Sequence, residues 1–115
     1  MNILIFFSQP WRVGGAETHV ESMISGLYEN NKIFLVVNEG SDIISLNRLK
    51  NCYPNLEILS IQARGYSIIK WHESYKNIEK LIIANKFDII SAHQRTAGIW
   101  SYFLSKRTGT PYVVT

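Results

Sequence analysis

The sequence predicts an α/β fold, a doubly wound parallel sheet of about five strands with helices on both faces. Three observations predict it. Short runs rich in β-branched residues, at 3–7, 33–37, 56–61, 88–92 and 112–114, recur at the length of a strand–helix repeat. Most of these runs are continuously apolar rather than alternating, as strands buried on both faces of a parallel sheet must be. The intervals between them carry helical periodicity, so the order is βαβαβαβαβ with right-handed crossovers.

Each element has its own justification. Residues 16–28 place Val20, Met23, Ile24 and Leu27 on one helical face. Ser41 and Asp42 start a shorter helix that ends before Pro54. Residues 67–85 line up Ile68, Trp71, Tyr75, Ile78 and Ile82, with Lys70, Glu73, Asn77 and Lys80 elsewhere on the helix. Thr96 is the expected N-cap of a last helix running to about Arg107. Lys106 and Arg107 complement its C-terminal dipole, Gly109 supplies the stop and Pro111 prevents continuation. The final strand is expected at or near an open sheet edge.

With 115 residues there is room for one domain around one core, so residues 1–115 are read as a single domain. Hydrophobic residues at 46% and charged residues at 18% describe a globular chain rather than a disordered one. A formal charge of +3 suits an anionic ligand or an acidic membrane surface, but is too small to argue for nucleic acid. Cys52 is the only cysteine, which excludes an internal disulfide; it is expected to pack as a small apolar residue in a reducing compartment. No run is long enough for a signal peptide or a membrane span, so the expected location is cytoplasmic, at most peripheral at the inner face of a membrane.

In open parallel sheets, ligands bind beyond the carboxyl ends of the strands, where the strand order reverses. That directs attention to the loops after Phe7, Val37, Ile61 and Ala92. The first runs from Ser8 through Trp11, Arg12, Val13, Gly14 and Gly15 into a helix beginning near Ala16. Two glycines there let the backbone approach a bulky anion at a helix N-terminus; they can equally serve only to tighten the turn. The loop matches neither GxGxxG nor a Walker sequence, so neither NAD nor ATP is favoured.

Three segments together carry a family resemblance that spans essentially the whole chain. Gly14-Gly15-Ala16-Glu17-Thr18-His19-Val20 is similar to the Gly-Gly-x-Glu loop and helix of the N-terminal domain of family 4 (group 1) glycosyltransferases, which have GT-B architecture. Phe87-Asp88-Ile89-Ile90-Ser91-Ala92-His93 resembles that family's Asp-hydrophobic-hydrophobic-His-x-His strand end. Gly109-Thr110-Pro111-Tyr112-Val113-Val114-Thr115 resembles its fifth strand. The resemblance implies a Rossmann-like domain on the acceptor side of a retaining, metal-independent enzyme that uses a nucleotide-diphosphate sugar.

It also implies roles for particular residues. Gly14 and Gly15 match the loop that lies against the donor diphosphate, and His93 matches the second histidine at the mouth of the cleft. His93, Arg95, Trp11 and Arg12 are the expected acceptor-side residues, with Trp11 and Arg12 projecting from the glycine loop. Ser91 departs from the pattern, standing where the family has its first histidine. The family's second domain, which binds most of the donor and carries an acidic pair, has no counterpart here. The chain alone is therefore not expected to complete the reaction, and no catalytic residue is assigned. No cofactor is implied, and the His, Cys and acidic spacings suggest no metal site.

Several residues admit a plainer reading. Glu17 in a first helical turn is favoured by the macrodipole. His19 reads as a surface or half-buried residue. Trp100, Tyr102 and Phe103 read as helix packing. Trp71, His72 and Tyr75 read as core and rim, or with Arg64, Lys70 and Lys76 as a basic aromatic patch facing a membrane that carries a lipid-linked acceptor. Two rival functions remain: a non-catalytic binding subunit partnered by a separate donor-domain chain, or an unrelated small nucleotide-binding domain.

Overall fold

The computed structural model describes residues 1–61 and 68–115; Arg64 and Ser67 lie outside them. The elements alternate without exception: β1 (Asn2–Pro10), α1 (Gly15–Leu27), β2 (Lys32–Asn38), α2 (Ile43–Cys52), β3 (Glu57–Ile61), α3 (Ile68–Asn85), β4 (Ile89–His93), α4 (Arg95–Thr108) and β5 (Tyr112–Val114). All pairings are parallel, in the order β3-β2-β1-β4-β5. This is the Rossmann-like α/β fold the sequence predicts, with β5 at an edge.

Strand periodicity sorts the core into two layers. Ile3, Ile5 and Phe7 of β1 point to one face, where they meet Val20 and Ile24 of α1 and Leu49 of α2. Leu4 and Phe6 point to the other, against Ile78 and Ile82 of α3 and Trp100 and Leu104 of α4. Central β1 is buried on both sides, which explains its unbroken apolar run. The chain builds outward from β1 to β3, crosses back through α3, then adds β4 and β5 on the other side of β1. Strand order thus reverses between β1 and β4, and the crevice at their carboxyl ends lies between α1 and α4.

Local chemistry sets the boundaries. α4 stops where expected: Gly109 adopts a left-handed φ of 77°, its N–H donates to the Ser105 carbonyl at 2.9 Å, and Lys106 and Arg107 occupy the last turn. Its start differs from the sequence expectation. Gln94, not Thr96, is the N-cap, and Thr96 falls inside the first turn. The capping rule favours a Thr side chain, but the turn out of β4 happens earlier because β4 extends to His93. Cys52 ends α2 exposed rather than packed, since the apolar face of that short helix is carried by Leu49.

Candidate functional site

A cleft of about 690 Å³ opens at the reversal point, lined by residues of β1, α1, β4, α4 and the end of β5. His93 forms its floor. As the last residue of β4 it shares a sheet face with Ser91, and both are buried. The Ser91 hydroxyl lies 3.1 Å from His93 Nε2. This contact fixes the ring, so the serine that departs from the family pattern holds the histidine that follows it. Burial lowers the His93 pKa below its ordinary value, and the nearby His19 lowers it further. His93 is therefore favoured as a neutral imidazole at neutral pH.

His19 reaches the cleft from α1. Its ring lies edge-on to that of His93, with centroids 6.2 Å apart. The plain reading of an exposed surface histidine is right about exposure, but the residue also walls the site. Ala16 and His19 sit three apart on α1, and both line the cleft.

The turn after His93 has an unusual backbone. Gln94 has φ 82° and ψ 161°, a conformation open to glycine and costly, at about 1–3 kcal/mol, for other residues. It abuts the first turn of α4, which has no side-chain cap and no acidic residue and instead carries the exposed Arg95. Arg95 adds a cation to the positive end of the helix dipole, and among the described residues no acid pairs with it. No lining residue has a carboxylate side chain. Along the same helix, Gly98, Ile99 and Tyr102 continue the lining, joined by Val114 of β5.

The β1–α1 loop is arranged differently. Trp11 does not project as expected. It is 2% exposed, with its ring 5.2 Å from that of Phe7 in the core and its backbone tied to the next loop. Its N–H donates to Ser41 Oγ at 2.8 Å, and its carbonyl accepts from the Asp42 N–H at 2.7 Å. The large apolar ring outweighs loop position, because burying it stabilises more than holding it ready in water. Arg12 is exposed, but lines a separate small recess beside α2 rather than the main cleft.

Glu17 has a partner of its own, accepting a hydrogen bond from the Arg12 N–H at 3.0 Å. Gly14 caps α1 with φ −179°, an extended backbone that any residue adopts. A Cβ on Gly14 would press on the Glu17 carboxylate at 3.3 Å, and one on Gly15 would meet nothing within 4 Å. Neither glycine is required by this turn. The structure brings His93 and Arg95 into the main cleft; Gly14 and Gly15 are not among its lining, and Gly14 instead lines the small recess with Arg12.

The aromatic assignments divide as well. Trp100 is buried, edge-on to Phe6 at 5.7 Å and to Trp71 at 4.9 Å. Tyr102 and Phe103 are exposed, contrary to the packing expectation, because they lie on the outward side of α4. Trp71, 40% exposed, stacks on Tyr75, and both rings meet Trp100 in edge-to-face contact. Among the described residues, no three His, Cys, Asp or Glu side chains cluster as a metal would require, and no helix is long and apolar enough to cross a membrane.

No protein-family model matches this chain, and no curated protein matches it. Solved structures share its fold. MurG of Acinetobacter baumannii superposes with a TM-score of 0.67 at 10% identity, over 98% of this chain and 34% of that one. The dTDP-glucose 4,6-dehydratase of Bacillus anthracis, in complex with NAD, gives 0.65 at 15% identity, over 99% and 36%. A Listeria monocytogenes protein named as a UDP-N-acetylglucosamine 2-epimerase gives 0.61 at 11%, over 99% and 29%. The chain thus spans about a third of the length of these structures. At such identities the likeness establishes the fold alone, and what is established is a Rossmann-like α/β domain.

Proposed function

We propose that this chain is the acceptor-side domain of a glycosyltransferase that draws on a nucleotide-diphosphate sugar. The carrying observation is the cleft at the reversal point, where an uncapped helix end, Arg95 and a fixed neutral His93 face one another with no carboxylate side chain among them. Such a site attracts a phosphate-bearing ligand. When the glycosidic carbon–oxygen bond to the donor breaks, the diphosphate leaves with the electron pair, and a positive helix end stabilises that charge. The sequence motifs at Gly14–Glu17 and Asp88–His93 point to the same class. So do the names of two structures of this fold, which refer to UDP-N-acetylglucosamine and dTDP-glucose.

Within this reading, Gly14 and Gly15 offer backbone N–H groups to the diphosphate from α1, and Arg95 and His93 line the acceptor side. Arg12 stands at the margin, and Trp11 serves the fold. The family 4 assignment, retention of configuration, metal independence and a role in polysaccharide or glycolipid assembly follow from the sequence resemblance alone, as does a second domain that holds most of the donor. A separate chain can supply that domain, and the present chain then acts as a non-catalytic binding subunit.

Titration calorimetry with UDP-glucose, GDP-mannose, NAD and flavin mononucleotide tests the class. Nucleotide-diphosphate sugars are expected to bind and to be displaced by inorganic pyrophosphate, while NAD and flavin give no heat. Tight flavin or NAD binding would replace this reading with that of an unrelated nucleotide-binding domain.

A further inference from the structure

We infer that Ser91 is a positioning residue that fixes the tautomer of His93, so that the neutral ring offers an N–H donor to a ligand oxygen in the cleft. Strand periodicity sets the stage. Ile90 and Ala92 of β4 belong to the core on the α3–α4 side, so Ser91 and His93 project to the α1 side. There Ser91 pairs in register with Ile5 and His93 with Phe7, and both partners belong to the apolar layer completed by Val20 of α1. At 7% and 5% exposure, the serine and the histidine are withdrawn from bulk water.

A buried hydroxyl must place its own proton. Among the described residues, the Ser91 hydroxyl has one hydrogen-bond partner, His93 Nε2 at 3.1 Å. Were it to accept from an Nε2–H, its own O–H would point into an apolar layer without an acceptor, an orphan donor in the interior. When it donates instead, its proton is used and only spare lone-pair capacity is left over, which costs less. Nε2 is then the bare nitrogen, and a neutral ring with Nε2 bare carries its proton on Nδ1. Nδ1 has no hydrogen-bond partner among the described residues, and His93 lines the cleft, so this N–H is the group a ligand meets.

The assignment separates two roles that one histidine can play. With Nδ1 bare, His93 would be a proton acceptor suited to a hydroxyl nucleophile; with Nδ1–H it is a donor suited to a phosphate or sugar oxygen. The surroundings agree with the donor. Arg95 from α4 and His19 from α1 line the same cleft, and no carboxylate side chain lines it to hold an imidazolium. A neutral donor adds a hydrogen bond for an anionic oxygen without placing a further cation beside these two groups. That the oxygen belongs to a nucleotide-diphosphate sugar rests on the transferase reading; the tautomer does not.

Heteronuclear NMR of the histidine ring nitrogens, recorded above the ordinary histidine pKa of 6.5, reads the tautomer. The parent is expected to show a protonated Nδ1 and a bare Nε2 in His93. Ser91→Ala should move the proton toward Nε2, the form a histidine in water prefers, whereas Ser91→Thr keeps a hydroxyl and should retain Nδ1–H. Inorganic pyrophosphate is expected to bind Ser91→Ala roughly three- to tenfold more weakly than the parent or Ser91→Thr, the worth of one hydrogen bond. A parent ring with its proton on Nε2, or an unchanged tautomer in Ser91→Ala, would overturn the inference. So would equal pyrophosphate affinity in the three proteins. The parent spectrum decides the tautomer even if a substitution unfolds the chain. The expected tautomer in a parent that binds neither pyrophosphate nor UDP-glucose would sink the transferase reading and leave the Ser91 assignment standing.

Discussion

Two turns meet at the crevice between β1 and β4, and they are built on opposite principles. The β1–α1 turn looks like a ligand loop in sequence, with its glycines, tryptophan and arginine, yet it is largely satisfied from within. Trp11 is in the core, Ser41 and Asp42 bind its backbone, and Glu17 binds the Arg12 N–H. The β4–α4 turn carries no such motif beyond His93, yet it holds the strained Gln94, an uncapped helix and an unneutralised cation. Unsatisfied groups, more than glycine content, mark where a ligand is awaited.

The largest expected effect attacks the self-satisfied turn. Trp11→Ala should cost about 3–5 kcal/mol of stability, since it empties a buried aromatic site. Urea denaturation measures this, and a loss near zero would mean that the ring is a free platform after all. At the strained turn the sign reverses. Gln94→Gly should raise stability by about 1–3 kcal/mol, because glycine adopts this conformation without a Cβ penalty. A destabilised variant would show that the Gln94 side chain contributes more than its backbone costs.

The pH dependence sharpens the same contrast. His93 has its folded pKa lowered below the ordinary 6.5, so folding favours the neutral ring. Its contribution is full above the unfolded value and is lost as pH falls through the folded one. Stability should therefore decline as pH falls from the unfolded value toward the lower folded one, and His93→Gln should flatten the decline in thermal melts. A bound anion should reverse the preference, drawing a proton onto His93 and tightening binding as pH falls. The smallest effect concerns Gly15→Ala, expected to be stabilising by about 0.5 kcal/mol, as open space surrounds that position and the backbone is helical. A marked loss would show that the turn itself demands glycine.

Much of the fold was legible because continuous apolar strands and amphipathic helices are short-range patterns, and β1 is the clearest case. His93 and Arg95 were legible because strand ends in a parallel sheet point at the crevice. Other features needed three dimensions. Trp11 follows a loop motif locally but obeys the core across the chain, through Phe7 and Ser41. His19 belongs to the site because α1 brings its ring to 6.2 Å from that of His93, a proximity no local window contains. Tyr102 and Phe103 follow an apolar pattern, but the α4 register turns Trp100 inward and these two outward. The Gln94 backbone had no sequence signal, since glutamine gives no hint of a conformation it disfavours.

The central claim is that the β4–α4 turn and the α1 N-terminus together receive a phosphate-bearing ligand. Amide-resolved NMR of the chain titrated with UDP-glucose tests it most directly. The account predicts saturable shifts at the N–H groups of Gly15, Ala16, Arg95, Thr96 and Ala97 and in the His93 ring, all lost in Arg95→Glu. Shifts confined to other loops, with these signals unmoved, would contradict it.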